Sequence, residues 1–336
     1  MSEQYGYFTE TPGGYVIDKL PDAGNYEYIY KNDELLLKLD QYGVVTAQID
    51  PPVGEAVFKR EEREVGSPVK AYFWCGESVY NNFDVLRADS IKIEFLPEKA
   101  VYSLVFDKTE VVTEVFVTEK GKRFLMNVTI KNLGDKAKVY KILKCAYPYL
   151  NELLMAPWDK PEWYTRTEYL TDKNAFLTTK YSVAGKKEER RYLTIVESDK
   201  PESRELSLER LTTATKNFSI IPGKVGGKTE DKLYAFKQCV SGLSKVTLKG
   251  GDKFTFTQVF AVTADENEVD KAIEKSKEYF NAGVQAQETE SLKVKYGELF
   301  SVRTVKTGDN DFDKFINGFL PLEMYWVSSL DRGWPT

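Results

Sequence analysis

The sequence predicts a mainly β fold, a large two-sheet antiparallel β-sandwich followed by helices, and three observations carry that prediction. Aromatic residues make up 13% of the chain, with 21 Tyr and 19 Phe, and with Val and Thr they favour pleated sheet. From residue 14 to about residue 263, short runs of such residues follow one another, bounded by Gly, Asp, Asn and Pro. Beyond that point the apolar spacing changes to a helical period.

The strand candidates, in order, are GYVIDK, YEYIY, DELLLKL, VKAYFWC, SIKIEFL, AVYSLVF, TEVVTEVFVT, KRFLMNVTIKN, AKVYKILKCAY, RYLTIVE, YAFKQCV and DKFTFTQVFAVT. KIEFL and MNVTI alternate clearly, whereas Val111, Val112, Val115 and Val117 alternate only roughly. One wet and one buried face is the mark of antiparallel sheets packed as a sandwich. The runs are too many for a small immunoglobulin-type module, so residues 1–264 read as one large two-sheet sandwich.

Residues 265–303 read as a helical linker. Val269, Ala272, Ile273, Ser276, Tyr279 and Phe280 share one helical face, Thr263 with Glu266 matches a capping box, and Gly283 supplies a stop. A second helix is predicted over QETESLKVKYGELF, through Leu292, Tyr296, Leu299 and Phe300. Residues 304–336 contain a third, DFDKFINGFLPLEMYWVSSL, which is apolar around most of its circumference. Such a helix expects burial among several partners, and two other helices are too few to cover it.

Bulk properties exclude several function classes. Lys+Arg 47 against Asp+Glu 52 gives a net charge of -5, without the positive field that nucleic acid or an anionic membrane requires. The N-terminus has no basic and apolar leader pattern, no apolar run is long enough to span a bilayer, and a cytoplasmic location is expected. Cys75, Cys145 and Cys239 are odd in number and far apart, so no disulfide framework or metal knuckle is predicted. The chain has no His, which rules out Ser-His-Asp, Cys-His and HExxH chemistry within it.

Two stretches invite a functional reading. PGKVGGKTED looks like a phosphate loop, but Pro222 stands where the first Gly is needed and no helical pattern follows Thr229, so a Gly/Lys hairpin loop is predicted. APWDKPEWYTRTEY gathers Trp158, Trp163, Tyr164, Tyr169, Asp159, Glu162 and Arg166 into a segment punctuated by Pro and read as a loop. Aromatic faces beside charged groups suit a sugar, and the same residues would equally serve a loop burying its own rings against the sandwich. The acidic pairs Asp309/Asp311 and Glu61/Glu62 read as solvated faces or helix N-terminal charges rather than a glycosidase acid pair.

Three segments resemble one enzyme family. YGYFTETPGGYVI is similar to the opening of the inverting disaccharide phosphorylases of glycoside hydrolase family 94, typified by cellobiose phosphorylase. IKIEFLPEKAVYSLVFDKTEVVTEVFVTEKGKRFLMNVTIKNLGDKAKVYKILKCAYPYL looks like its sandwich segment, and DKFINGFLPLEMYWVSSLDRGW resembles its first barrel helix through Asn317, Leu320 and Pro321. The resemblance implies a sandwich, a helical linker and the first helix of an (α/α)6 barrel.

It further implies reversible phosphorolysis of a β-linked gluco-disaccharide or oligosaccharide to a sugar 1-phosphate, with inversion, no metal and inorganic phosphate as co-substrate. One carboxylic acid protonates the leaving oxygen while phosphate attacks from the opposite face. That acid and the phosphate ligands would lie beyond residue 336, so residues 1–336 are expected to be inactive alone and to associate with the remaining barrel segment or as a homodimer. LDRGWPT resembles the approach to a sugar-binding turn, with Asp331, Arg332 and Trp334 at the lip of the sugar site, where Trp158, Trp163 and Arg166 are further candidates. The competing expectation is a non-catalytic carbohydrate-binding or dimerisation sandwich.

Overall fold

A computed structural model of the chain describes residues 5–21, 24–51, 54–59, 67–75, 78–152, 165–181, 189–211, 232–234 and 238–328. The chain opens with β1 (Gly6–Phe8), β2 (Tyr15–Ile17), β3 (Glu27–Lys31), β4 (Leu35–Asp40), β5 (Val45–Ile49) and β6 (Glu55–Phe58). Then come β7 (Val69–Cys75), β8 (Ser78–Asn81), β9 (Ser90–Leu96), β10 (Lys99–Phe106), β11 (Thr109–Val117), β12 (Arg123–Asn132) and β13 (Lys138–Ala146). They are followed by β14 (Asn151–Glu152), β15 (Thr165–Leu170), β16 (Ala175–Lys180), β17 (Arg191–Glu197), β18 (Ser203–Ser207) and the short helix α1 (Leu208–Leu211). After β19 (Lys232–Tyr234), β20 (Gln238–Leu248) and β21 (Lys253–Thr263) come helices α2 (Val269–Glu278), α3 (Ala282–Ser301), α4 (Asn310–Lys314) and α5 (Leu320–Val327).

The strands form three antiparallel sheets rather than the expected two. An eleven-stranded sheet runs β1-β2-β9-β10-β11-β12-β21-β17-β16-β15-β19, and two five-stranded sheets run β18-β20-β13-β7-β8 and β14-β6-β5-β4-β3. The sandwich nevertheless has two layers. On β10 the alternate residues Ala100, Tyr102, Leu104 and Phe106 are buried, so they share one face. From that face the Tyr102 hydroxyl donates to the Asp40 carbonyl at 2.6 Å, and Phe106 meets Phe73 at 5.6 Å. Both small sheets therefore pack on the same face of the large one. A sequence pattern fixes which residues point inward but not which sheet they meet, which is why one layer of two sheets looks like one sheet.

Among the buried aromatics of this interface, Phe124 and Phe260 stack at 4.4 Å across neighbouring strands and Phe58 meets both edge-on. The interface also buries charge. Lys144 is 0% exposed, with Nζ 2.8 Å from Glu197 Oε2 and 2.9 Å from both Asp199 oxygens. Gln258 donates to Glu197 at 2.9 Å and Ser244 to Asp199 at 2.5 Å. Burial alone would lower the Lys144 pKa, but the two carboxylates outweigh it and hold the ammonium above its ordinary value. Burial is also the main influence on Glu197 and leaves its pKa raised despite Lys144.

The outer face of the large sheet carries α2 and the start of α3. Val269 and Ile273 of α2 pack on Ala175, Leu177, Tyr192 and Val196, and the Asn127 amide donates to Gln285 of α3 at 2.7 Å. The helix starts and stops differ from the sequence reading. Asp265, not Thr263 with Glu266, caps the turn before α2 by accepting from the Asn267 N–H at 2.9 Å, while the Thr263 hydroxyl reaches Glu268 at 3.2 Å. Gly283 is no stop; it lies in the first turn of α3, where Asn281 accepts its N–H at 2.8 Å.

Candidate functional site

Of the six residues singled out for sugar contact, Trp158 and Trp163 lie in 153–164 and Asp331, Arg332 and Trp334 in 329–336, outside the described residues. The phosphate-loop look-alike at 222–231 and Glu61/Glu62 also lie outside them. Asp309 is a helix cap, accepting from the Asp311 and Phe312 N–H groups at 3.1 Å each. Arg166 sits on β15, so the stretch read as one loop turns into a strand at Thr165.

That strand forms because its threonines are satisfied internally. The Thr167 hydroxyl bonds to Thr178 on β16 at 3.0 Å and donates to Gln238 at 2.5 Å, and Gln238 donates to the Thr165 carbonyl at 2.7 Å. With those groups turned inward, Arg166 and Glu168 share the opposite face. Arg166 Nη2 bonds to Glu168 at 2.5 Å, and Lys232, directly opposite on β19, reaches the same carboxylate at 3.2 Å. The guanidiniums of Arg166 and Arg190 lie 5.9 Å and 5.6 Å from the Tyr181 ring, within range of cation–π attraction. On the inner face, Lys180 and Arg191 pair with Glu55 at 3.4 Å and 3.5 Å.

Both carboxylates are thus held by cations, and neither stands as a free acid among the described residues. The structure joins Arg166 to Glu168, Tyr181, Arg190 and Lys232, none of which the sequence reading selected. The available signal was basic and aromatic residues flanking the polar stretch 182–188.

The second region is the seam where α3 and α5 meet the sandwich. Phe319 contacts Phe8, Tyr26 and Trp326 at 6.4, 6.2 and 5.7 Å, and Trp326 packs edge-on against Tyr28 at 4.8 Å. A π turn at Phe315–Phe319 precedes α5. Gly318 lies against residue 13 so closely that an added Cβ would come within 2.2 Å of the Gly13 nitrogen. Asn317 holds the turn, accepting from the Val305 N–H at 2.6 Å and donating to the Val305 and Asp313 carbonyls at 2.7 Å each. Pro321 stands at the start of α5, where a missing N–H does least harm. These contacts give structural roles to Asn317 and Pro321, two residues on which the family resemblance rests.

Lys31 Nζ lies 3.7 Å over the Tyr325 ring, with Lys295 on the same ring at 5.8 Å. Burial, then repulsion from Lys295, lowers the Lys31 pKa to about 8, against a small opposing pull from Asp33. The outward side of the helices stays apolar and exposed: Phe312 49%, Leu320 39% and Met324 66%. Among the described residues no helix is long and apolar enough to cross a membrane.

The sequence profile of the glycosyl hydrolase 94 supersandwich domain matches residues 80–279. No curated protein matches the chain in sequence. Among solved structures, a protein assigned as a kojibiose phosphorylase from the human microbiome superposes with a TM-score of 0.62 at 10% identity, covering 96% of this chain and 43% of its own. A bacterial glucoamylase complexed with acarbose superposes with a TM-score of 0.52 at 11% identity, covering 85% of this chain and 41% of its own. These identities establish a shared fold alone, and the chain spans less than half the length of either structure.

Proposed function

The chain belongs to the glycosyl hydrolase 94 family through its supersandwich domain, and we propose that it is the non-catalytic sandwich portion of a glycoside phosphorylase. The reaction is phosphorolysis of a β-linked gluco-disaccharide or oligosaccharide with inversion. One carboxylic acid protonates the glycosidic oxygen, inorganic phosphate attacks the anomeric carbon from the opposite face, and a sugar 1-phosphate leaves. Phosphate is itself the nucleophile, so one acid suffices and no carboxylate base or metal is required. The acid and the phosphate ligands belong to an (α/α)6 barrel outside residues 1–336, and the whole enzyme works in the cytoplasm as a homodimer.

The observation that carries this reading is the seam. The sandwich of this family here seats helices through Phe319 and Trp326 while Leu320 and Met324 face outward, as the innermost helices of a larger helical layer would. The domain limits then fall at 1–264 for the sandwich, 265–303 for the linker and 304–336 for the start of the barrel. Asp331, Arg332 and Trp334 reach the lip of the sugar site on the helical side. Arg166 lies on β15, at the opposite end of the large sheet from the β1–β2 edge that seats the helices, so with Trp158 and Trp163 it would offer its contacts to the sugar site of the neighbouring copy in the homodimer.

Glucose 1-phosphate release from the β-linked disaccharides cellobiose, laminaribiose and sophorose and from longer β-glucosides tests the reading, comparing residues 1–336 with the polypeptide extended through the helical domain. Release by the extended polypeptide only is expected. Turnover by residues 1–336, or none by the extended polypeptide with any substrate in phosphate, contradicts it. Sugar binding to residues 1–336 in the absence of any phosphorolysis would favour the carbohydrate-binding alternative.

A further inference from the structure

We infer that Lys144 and Asp199 condense within the folded sandwich to form an amide between Nζ and Cγ, a covalent staple between β13 and the connection from β17 to β18. The reacting atoms are already in contact. Lys144 Nζ lies 2.9 Å from both Asp199 oxygens, which centres it on the carboxyl carbon at a near-attack separation of about 3–3.5 Å. The lysine is fully buried and Nζ stands 5.6 Å from the Phe256 ring, so bulk water does not compete with the amine. Asp199 keeps 20% of its side chain exposed, which gives the released water a way out.

Glu197 is the proton carrier. Its Oε2 lies 2.8 Å from Nζ and accepts no other hydrogen bond among the described residues, while Gln258 holds Oε1 at 2.9 Å. Gly242 pairs with Lys144 across β13 and β20. A Cβ on Gly242 would come within 3.0 Å of Glu197 Oε2, so a glycine there leaves room for the carboxylate. Burial raises the Glu197 pKa, which suits this group to take a proton from the ammonium. The Ser244 hydroxyl donates to Asp199 Oδ2 at 2.5 Å, where negative charge collects as the amine adds to the carbonyl.

The step balances without a co-reactant. Nζ bonds to Cγ, the Cγ–Oδ1 bond breaks, and the two protons lost by the ammonium leave with Oδ1 as water. Glu197 takes the first proton from Nζ before the attack and delivers it to Oδ1 as that oxygen departs. The product replaces a buried ammonium and carboxylate with a neutral amide, which removes the cost of keeping two charges out of water. Lys144 rests as the ammonium, its pKa raised despite burial, so the step is slow and runs once per chain. It uses the core of the sandwich alone and does not depend on the phosphorylase reading.

Intact-mass measurement of residues 1–336 after prolonged incubation at neutral pH tests the inference. The expected species is lighter than the sequence mass by one water, and its protease digest contains a branched peptide that joins Lys144 to Asp199. The same chain incubated in urea should keep its full mass, because the step needs the fold. Lys144→Met should also keep its full mass, and Glu197→Gln should slow the loss of water about 100-fold or more, with circular dichroism reporting whether each variant folds. The branched peptide of the parent decides even where a variant does not fold. A parent of full mass, a lost water that maps to another residue such as an aspartate succinimide, or equal loss in urea overturns the inference.

Discussion

The interface among the three sheets and the seam beneath α3 and α5 are both rich in aromatic rings, and they close in different ways. In the sandwich, even a charge as expensive to bury as Lys144 is enclosed by Glu197, Asp199 and their own donors Gln258 and Ser244. Buried atoms without a hydrogen-bond partner among the described residues occur in both regions, Gln258 Oε1 in the sandwich and Tyr26 Oη, Tyr30 Oη and Trp326 Nε1 at the seam, so the difference lies in what covers each. The far side of the seam's helices exposes Phe312, Leu320 and Met324. The sandwich is a finished core, whereas the helical layer is covered on one side. A finished core resists change cooperatively, and a half-covered layer should yield locally.

The largest effect separating the two regions is expected at the buried ion network. Lys144→Met leaves two carboxylates facing each other in the core and should lower stability by about 3–5 kcal/mol, read as a shifted midpoint in urea denaturation of the whole chain. A midpoint equal to the parent's would mean that the network is open to water and the contrast is false. Trp326→Ala comes next. Its cost of about 3 kcal/mol, the low end for such a truncation, should appear as protease cleavage between α3 and α5 while the strands stay folded. Global unfolding in this variant would show that the seam is part of the same cooperative core.

Smaller changes sharpen the picture within the helices. Asn317→Leu removes three hydrogen bonds that tie the π turn to Val305 and Asp313 and should cost about 2 kcal/mol in the local opening of residues 304–328, measured by amide exchange. Asp309→Ala removes the α4 cap and should cost about 1 kcal/mol by the same measurement.

The smallest effect is a pH dependence. Lys31 has a folded-state pKa lowered to about 8 from 10.5, so between those values the unfolded chain holds more protons than the folded one. Stability should therefore rise as the pH climbs from about 8 to 10.5, discounted because solvent reaches part of the seam. Lys31→Met should remove that rise in thermal denaturation across the same window.

Much of the sandwich was legible because its strands alternate. On β10 the burial of every second residue is the period-two pattern that the sequence shows. β15 and β16 were missed for a physical reason: TRTEYL and AFLTTK are polar-looking, but their threonines pair with one another and with Gln238, so polarity did not mean exposure. β5 and β6 are short runs, VTAQI and EAVF, without a long apolar stretch to mark them.

The third helix was read as one segment apolar around most of its circumference, whereas it comprises α4, a π turn and α5; the π turn and the close approach of Gly318 to Gly13 depend on a contact across about 300 residues of sequence, which no local pattern encodes. The same holds for the Arg166 cluster. Glu168 is two residues away and readable, while Lys232 and Arg190 arrive through strand pairing and chain return.

Amide hydrogen exchange on residues 320–327, in residues 1–336 and in the polypeptide extended through the helical domain, tests most directly that α5 is the inner face of a larger helical layer built on this sandwich. The account predicts that these amides exchange far faster in residues 1–336 and gain protection in the extended polypeptide, with β10 to β12 unchanged between the two. Equal protection of α5 in both would contradict it.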